Sequence, residues 1–143
     1  MFPQPLPYHP NPGEVLRCDY SNLVPPEMDK VRFAVVISPR LRHRDSLCTV
    51  VPISTTAPAF PQPFHVQLAQ DPYPKSAPGT VAWVKCDMMM TVSYARLSAY
   101  WDGRHPNGKR NYITLRVSQN EFREIRIGML HAVGLGATLK DHL

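Results

Sequence analysis

"RFAVVISPRLRHRDSLCTVVPISTT", residues 32–56, holds two apolar runs in a basic setting. The first belongs to the stretch 31–39 (VRFAVVISP), which is β-branched, apolar and ended by Pro39. The second is 47–54 (LCTVVPIS). Both are short and rich in Val and Ile, residues that suit a pleated, packed surface better than a helix. They predict two strands, joined through the turn 40–46 as an antiparallel pair. That turn carries Arg40, Arg42, His43 and Arg44, and the second run ends in the hydroxyls of Ser54, Thr55 and Thr56. The pair reads as the middle of a β-barrel, as the floor of a site that handles a phosphate, or as both.

Outward from this pair the chain keeps a β rhythm. Residues 13–21 (GEVLRCDYS) alternate well enough for a first strand, with Val15, Leu16 and Cys18 as core candidates. Residues 22–30 are a loop, because Pro25, Pro26 and the charges around them do not fit a central strand. Residues 64–69 alternate Phe64, Val66 and Leu68 against His65, Gln67 and Ala69, the pattern of a half-buried strand. Strands are also expected at 80–87 and 111–117. The stretch 88–103 is less regular, with 94–101 as a short helix or helical turn. Pro106 and the pair Asn107-Gly108 mark a turn between them.

One helix is expected, after residue 117. Ser118 and Glu121 have the spacing of a capping box, in which each side chain satisfies a free backbone N–H of the first turn. Phe122, Ile125, Met129 and Val133 form one apolar stripe facing the barrel, and Gly134 is placed to cap the end. The outline is a mainly β (α+β) domain over 13–135, preceded by a Pro-rich arm, 1–12, and followed by a polar, frayed tail, 136–143. The five prolines of the arm fix φ and remove donors, so it should run extended.

Composition sets the bounds. With 143 residues, 43% of them hydrophobic, the chain has one modest core. Its 16 prolines fall in clusters that favour short strands over a helical bundle. A net charge of +5 points to an anionic partner, nucleic acid or an acidic protein. Cys18, Cys48 and Cys86 are widely spaced and lack a C-x-x-C pair, so they read as reduced, buried thiols of a cytoplasmic protein. No run approaches the ~18 apolar residues of a membrane span, and the first twelve residues lack the pattern of a signal peptide. The histidines show no metal-binding spacing, and no metal or cofactor is expected.

No phosphate loop, nucleophile elbow, zinc-protease or dinucleotide motif is present. What remains is Arg32, the hydroxyls Ser54 and Thr55, and the triplet Lys85-Cys86-Asp87, each at a strand end. A carboxylate beside cations, with hydroxyl donors near, is the equipment for cleaving a phosphodiester without a metal. A base takes the proton of an attacking hydroxyl, and cations neutralise charge growing on the phosphate. The bland alternative is that these are solvated surface residues.

Four segments in order, Gly13-Glu14-Val15, Arg32-Phe33-Ala34-Val35-Val36-Ile37-Ser38-Pro39, Val51-Pro52-Ile53-Ser54-Thr55-Thr56 and Val84-Lys85-Cys86-Asp87, resemble the PemK/MazF family of type II toxin–antitoxin systems. The resemblance spans roughly 11–135. It implies a small SH3-like β-barrel with a C-terminal helix, shared with the gyrase poison CcdB, and usually a homodimer. It implies a metal-independent endoribonuclease that cuts single-stranded RNA to a cyclic phosphate, and a cognate antitoxin that covers the RNA groove. By the same resemblance Asp87 is the general base and Lys85 the acid or charge stabiliser. Arg32 contacts the scissile phosphate, and Ser54 stands where the family has a catalytic threonine, followed by Thr55. Glu27 falls in the loop where members carry a polar residue near the RNA. Arg40, Arg42 and Arg44 read as a phosphate-tracking patch or as a solvated hairpin turn. Arg104, His105, Lys109 and Arg110 form a second basic turn open to the same two readings. Tyr94, Tyr100 and Trp101 read as core or dimer contacts, or as stacking platforms for bases, and Met88–Met90 as packing.

The chain departs from the family at four positions around this site. Phe33 replaces a proline, Lys85 an arginine, Ser54 a threonine and Met88 a glutamine. A lysine acts as a point charge where an arginine offers a planar fork. These departures motivate a second expectation: a barrel that grips nucleic acid or a protein target without cleaving it.

Overall fold

A computed structural model describes residues 1–139 of the chain. The two runs of the opening stretch are strands β2 (Val31–Val36) and β3 (Leu47–Ser54), paired antiparallel with Val36 opposite Val50, Val35 opposite Val51 and Ala34 opposite Pro52. The first strand, β1 (Glu14–Asp19), lies on the other side of β2. Then follow β4 (His65–Leu68), β5 (Ala82–Lys85), β6 (Met90–Ser93), β7 (Leu97–Ser98), β8 (Trp101–Arg104), β9 (Arg110–Tyr112) and β10 (Leu115–Arg116). Helix α1 (Gln119–Ala132) and a single turn, α2 (Gly136–Leu139), end the described chain. The expected tail 136–143 thus begins as helix, and its residues 140–143 lie outside the described residues.

The continuous apolar character of β2 and β3 has a structural cause: both faces are buried. Alternate residues Leu16, Cys18, Ala34, Val36, Cys48 and Val50 join Val92 and Leu97 in one core. Their neighbours Val15, Val35, Val51 and Ile53 join Leu68, Val84, Cys86 and Ile125 in a second core on the opposite face. The first core is the interior of a curled sheet. β6 pairs with β3 and β7 with β1, and the 3-10 turn Tyr94–Arg96 between them carries the chain from one edge to the other. The second core is roofed by α1 and by the β4–β5 pair. The helix therefore covers the outside of the barrel rather than closing its interior.

Pro52 is buried inside β3, where a proline is unusual. It sits between the segment 47–50, which pairs with β6, and 53–54, which pairs with β5. At this change of partner no strand calls for its missing N–H.

Several sequence expectations are corrected. The strand expected at 111–117 is two: β9 pairs with β8, the chain breaks at 113–114, and β10 moves to β1. The strand expected at 80–87 ends at Lys85, and Asp87 falls in a 3-10 turn, Cys86–Met88. The irregular stretch 88–103 holds the 3-10 turn 94–96, but also β6, β7 and β8. The helix's capping box is present, with the Glu121 N–H donating to Ser118 Oγ at 3.0 Å and the Ser118 N–H to Glu121 Oε1 at 2.8 Å. Val133 is not on the apolar stripe; it is the C-terminal cap residue and 59% exposed. Gly134, at φ +81°, ends the helix with the Leu135 N–H donating to the Leu130 carbonyl at 2.7 Å, the bond of a Schellman motif.

The Pro-rich arm lies against the barrel. The Phe2 and Leu6 N–H groups donate to the carbonyls of Ala95 and Tyr94. Leu6 is 5% exposed within the barrel core, and Pro10 is fully buried. All three cysteines are free and buried.

Candidate functional site

Register places the expected residues more firmly than distance along the chain. Ala34 opposes Pro52, so one further same-face step along each strand brings Arg32 and Ser54 to the same end of the β2–β3 pair. Ser54 in turn opposes Trp83, Trp83 opposes Gln67, and Lys85 opposes His65. Val84, Val66 and Leu68 point into the core under α1. Alternation therefore turns Trp83, Lys85, His65 and Gln67 to the other face, the face that Arg32 and Ser54 share. Arg32, Ser54, Trp83 and Gln67 make a row across four strands at this end of the sheet, and Lys85 and His65 make a pair on the same face one step further along β5 and β4.

Asp87 follows directly. Its 3-10 turn is held from below: the Cys86 N–H donates to the Phe64 carbonyl at 3.1 Å, and the Cys86 thiol donates to the Ile125 carbonyl at 3.6 Å. Cys86 and Met88 point into the two cores, which leaves Asp87 between them exposed. Among the described residues neither Asp87 nor Lys85 is held in an ion pair. A free carboxylate and a free ammonium two residues apart are available to a substrate.

Arg32 is more constrained. Its Nε donates to the Asp29 carbonyl at 3.1 Å, and its guanidinium lies 3.7 Å from the Asp29 carboxylate, with the side chain 29% exposed. Asp29 belongs to the loop 20–30, which also carries the exposed Glu27 at this same end of the sheet. Ser54 is 5% exposed and its Oγ accepts the Thr56 N–H at 3.1 Å. That bond fixes the hydroxyl oxygen and leaves its proton free to donate. Thr55 is exposed beside it.

Arg40, Arg42 and Arg44 are not brought to this end. They occupy the turn joining the far ends of β2 and β3, where Arg40 faces Asp45 at 3.8 Å. β3 alone separates the two ends by about 23 Å at ~3.3 Å per residue. Trp83, His65 and Gln67 went unrecognised in the sequence as members of this face. The alternation of 64–69 marked His65 and Gln67 as outward-facing, but only the β4–β5 pairing shows what they stand beside. The Gln62 N–H donates to His65 Nδ1 at 2.9 Å, which puts the proton of the neutral ring on Nε2, toward the open face.

Two of the family departures have packing roles. Phe33 joins an aromatic cluster, its ring 5.7 Å from that of Tyr73 and 6.1 Å from that of Tyr100. Met88 packs against the barrel core. Tyr94 packs against the barrel core and bonds His9 Nδ1 through its hydroxyl at 2.6 Å, and Tyr100 is buried beside Phe33, so both are packing residues.

A curled antiparallel barrel roofed by one C-terminal helix is the fold of MazF-type toxins, and solved structures bear this out. MazF from Deinococcus radiodurans superimposes with a TM-score of 0.60 at 16% identity, over 89% of this chain and 98% of that one. An endoribonuclease crystallised with its cognate antitoxin, from a mycobacterial species, gives 0.55 at 20% identity, over 89% and 97%. The chain belongs to the PemK-like, MazF-like toxin family of type II toxin-antitoxin systems, whose model matches residues 11–124. A relative from Haemophilus influenzae, described as an uncharacterized protein, is 23% identical over 145 residues, 92% of this chain and 95% of that one. Among the described residues no helix is long and apolar enough to cross a membrane.

Proposed function

We propose that this protein is the toxin of a type II pair, a metal-independent endoribonuclease that acts on single-stranded RNA in the cytoplasm as a homodimer restrained by an antitoxin. The observation that supports it is one shared sheet face: Arg32 and Ser54 stand at its end and Lys85 one step further along, with the carboxylate of Asp87, in no ion pair among the described residues, two residues beyond Lys85.

In this reading Asp87 takes the proton of a ribose 2′-hydroxyl. The 2′-oxygen attacks phosphorus, the P–O5′ bond breaks, and Lys85 supplies the proton to the departing 5′-oxygen. The products are a 2′,3′-cyclic phosphate and a 5′-hydroxyl. Arg32 and the Ser54 hydroxyl bind the non-bridging oxygens, where negative charge grows. Thr55 and Glu27 border the RNA at the same end.

The test is incubation with a long single-stranded RNA in EDTA, beside Asp87→Ala. Wild type should give discrete fragments with cyclic-phosphate ends, and the variant should be slower by roughly 10²- to 10⁴-fold. Equal cutting by the two proteins removes Asp87 from the mechanism. RNA that is bound but left whole by wild type selects the non-cleaving barrel instead, a reading that the tie between Arg32 and Asp29 favours.

A further inference from the structure

The β8–β9 hairpin plays no part in the site above. It pairs only with itself and is reached from β7, on the β1 side of the barrel, whereas Lys85 and Asp87 hang from the β3 side. Its tip holds Arg104, His105, Lys109 and Arg110, all exposed. The carboxylate within the hairpin, Asp102, is turned away to Lys75, 3.3 Å from its ammonium. Arg104 and Arg110 are direct cross-strand partners. Like charges placed opposite each other weaken a hairpin, and here no carboxylate neutralises either one among the described residues.

Both guanidiniums converge on one indole. Arg104 Cζ lies 5.5 Å from the Trp101 ring and Arg110 Cζ 4.7 Å. Arg104 is aimed further by donating to the Gly108 carbonyl at 2.9 Å. Tyr112, the cross-strand partner of Trp101, is 57% exposed. Hairpin and Pro-rich arm face each other across a groove of about 1110 Å³, with Tyr8 of the arm 44% exposed on its far wall.

We propose that this groove is a second binding site for single-stranded nucleic acid, with phosphates held between Arg104 and Arg110 and bases stacked on Tyr112 and Tyr8. Two preoriented guanidiniums match the oxygens of a phosphate, and cations interleaved with open aromatic faces are what a single strand requires. An acidic peptide would answer the charge but leave the flat faces unused. The site takes its ligand class from the proposed ribonuclease activity and none of its residues from the catalytic row. Its role is to hold substrate on both sides of the barrel, which lengthens the stretch of RNA the protein grips.

The test uses the full chain and a labelled 2′-deoxy oligonucleotide of about 15 nucleotides, the ~4–16-nucleotide range typical of single-strand sites. It lacks the attacking hydroxyl, so binding is read without cleavage. Affinity is measured against salt for wild type, Arg104→Gln/Arg110→Gln, and Arg123→Gln/Arg126→Gln on the exposed face of α1, after circular dichroism shows all three folded. Losing both arginines should flatten the slope of log K against log salt by about 0.7 for one shared phosphate and about 1.4 for one phosphate each, and only in the hairpin variant. Unchanged slope in that variant overturns the proposal, as does a polyglutamate peptide of equal charge that binds the hairpin more tightly than the oligonucleotide. The two readings fail separately: RNA cut normally with no hairpin effect sinks this one, and a hairpin effect without cutting sinks the ribonuclease.

Discussion

Gly128 of α1 meets Cys86 with no side chain between them: a β-carbon added to Gly128 would lie 2.9 Å from the Cys86 sulfur and 3.0 Å from Val66 Cγ2. The helix thus presses its backbone onto the turn that presents Asp87. Alanine at 128 gains about 1 kcal/mol of helix propensity and meets an overpacking cost of about 1–3 kcal/mol. Gly128→Ala should therefore lose roughly 1 kcal/mol, taking these two ranges together. In a Cys86→Ala background the nearer of the two crowding atoms is gone while Val66 Cγ2 remains, and the same substitution should cost less than it does in wild type. Urea unfolding of the four proteins closes the cycle. Simple additivity of the two changes would show that the contact is not tight.

Much of this was legible in the sequence, for identifiable reasons. β2 and β3 were visible because burial on both faces leaves almost no polar residue to interrupt the run. The capping box made the start of α1 readable. Val133 was misplaced because helical spacing continues past Ala132, while the left-handed Gly134 ends the helix one residue sooner than the stripe implies. Residues 111–117 looked like one strand because strand propensity carries no information about a change of partner at 113–114. The candidate row was half legible. Arg32, Ser54, Lys85 and Asp87 stood out by type, but Trp83, His65 and Gln67 join them only through the register of β4 with β5. The basic turn 40–46 adjoins the site in sequence and sits at the opposite end of the β2–β3 pair from Arg32 and Ser54 in space.

Ser54 has two jobs that two substitutions separate. Its Oγ accepts the Thr56 N–H, and its proton remains free to donate to the proposed phosphate. Ser54→Ala should lose about 1 kcal/mol of stability for the bond and most of the RNA-cleaving rate. Ser54→Thr keeps the hydroxyl and should keep both within a few-fold, as the family threonine implies. Rate and urea midpoint measured on both variants decide it. An alanine variant that is less stable yet fully active would reduce Ser54 to a turn residue.

Phe33, where the family has proline, clamps the loop before β5 through Tyr73 and Tyr100. Phe33→Ala should cost about 2 kcal/mol, below the ~3–5 kcal/mol of a fully buried phenylalanine because the ring is only partly buried. Lys75, in the loop that Tyr73 anchors, should then be cut faster by trypsin than in wild type. Phe33→Leu, which keeps most of the bulk, should stay within about 1.5 kcal/mol. If trypsin cuts both variants at the wild-type rate, the aromatic cluster does not hold the loop.

The thiols give the pH dependence. Burial pushes Cys18 and Cys86 up to about 12, and raises Cys48 as well. The folded protein should not react with a thiol reagent at pH 8, and three thiols should titrate once guanidinium unfolds it. The sign for stability follows from the folded value lying above the unfolded one, near 8.5. Below that pH both states hold their protons and the contribution is complete. Above it the unfolded chain ionises first, so stability falls as pH climbs toward 12. Unfolding free energies from pH 7.5 to 10.5 should decline, and less steeply in Cys86→Ala, which has one thiol fewer to ionise. A profile with the same slope in both proteins would mean that the Cys86 sulfur is open to solvent, and that α1 does not seal the turn beneath Asp87.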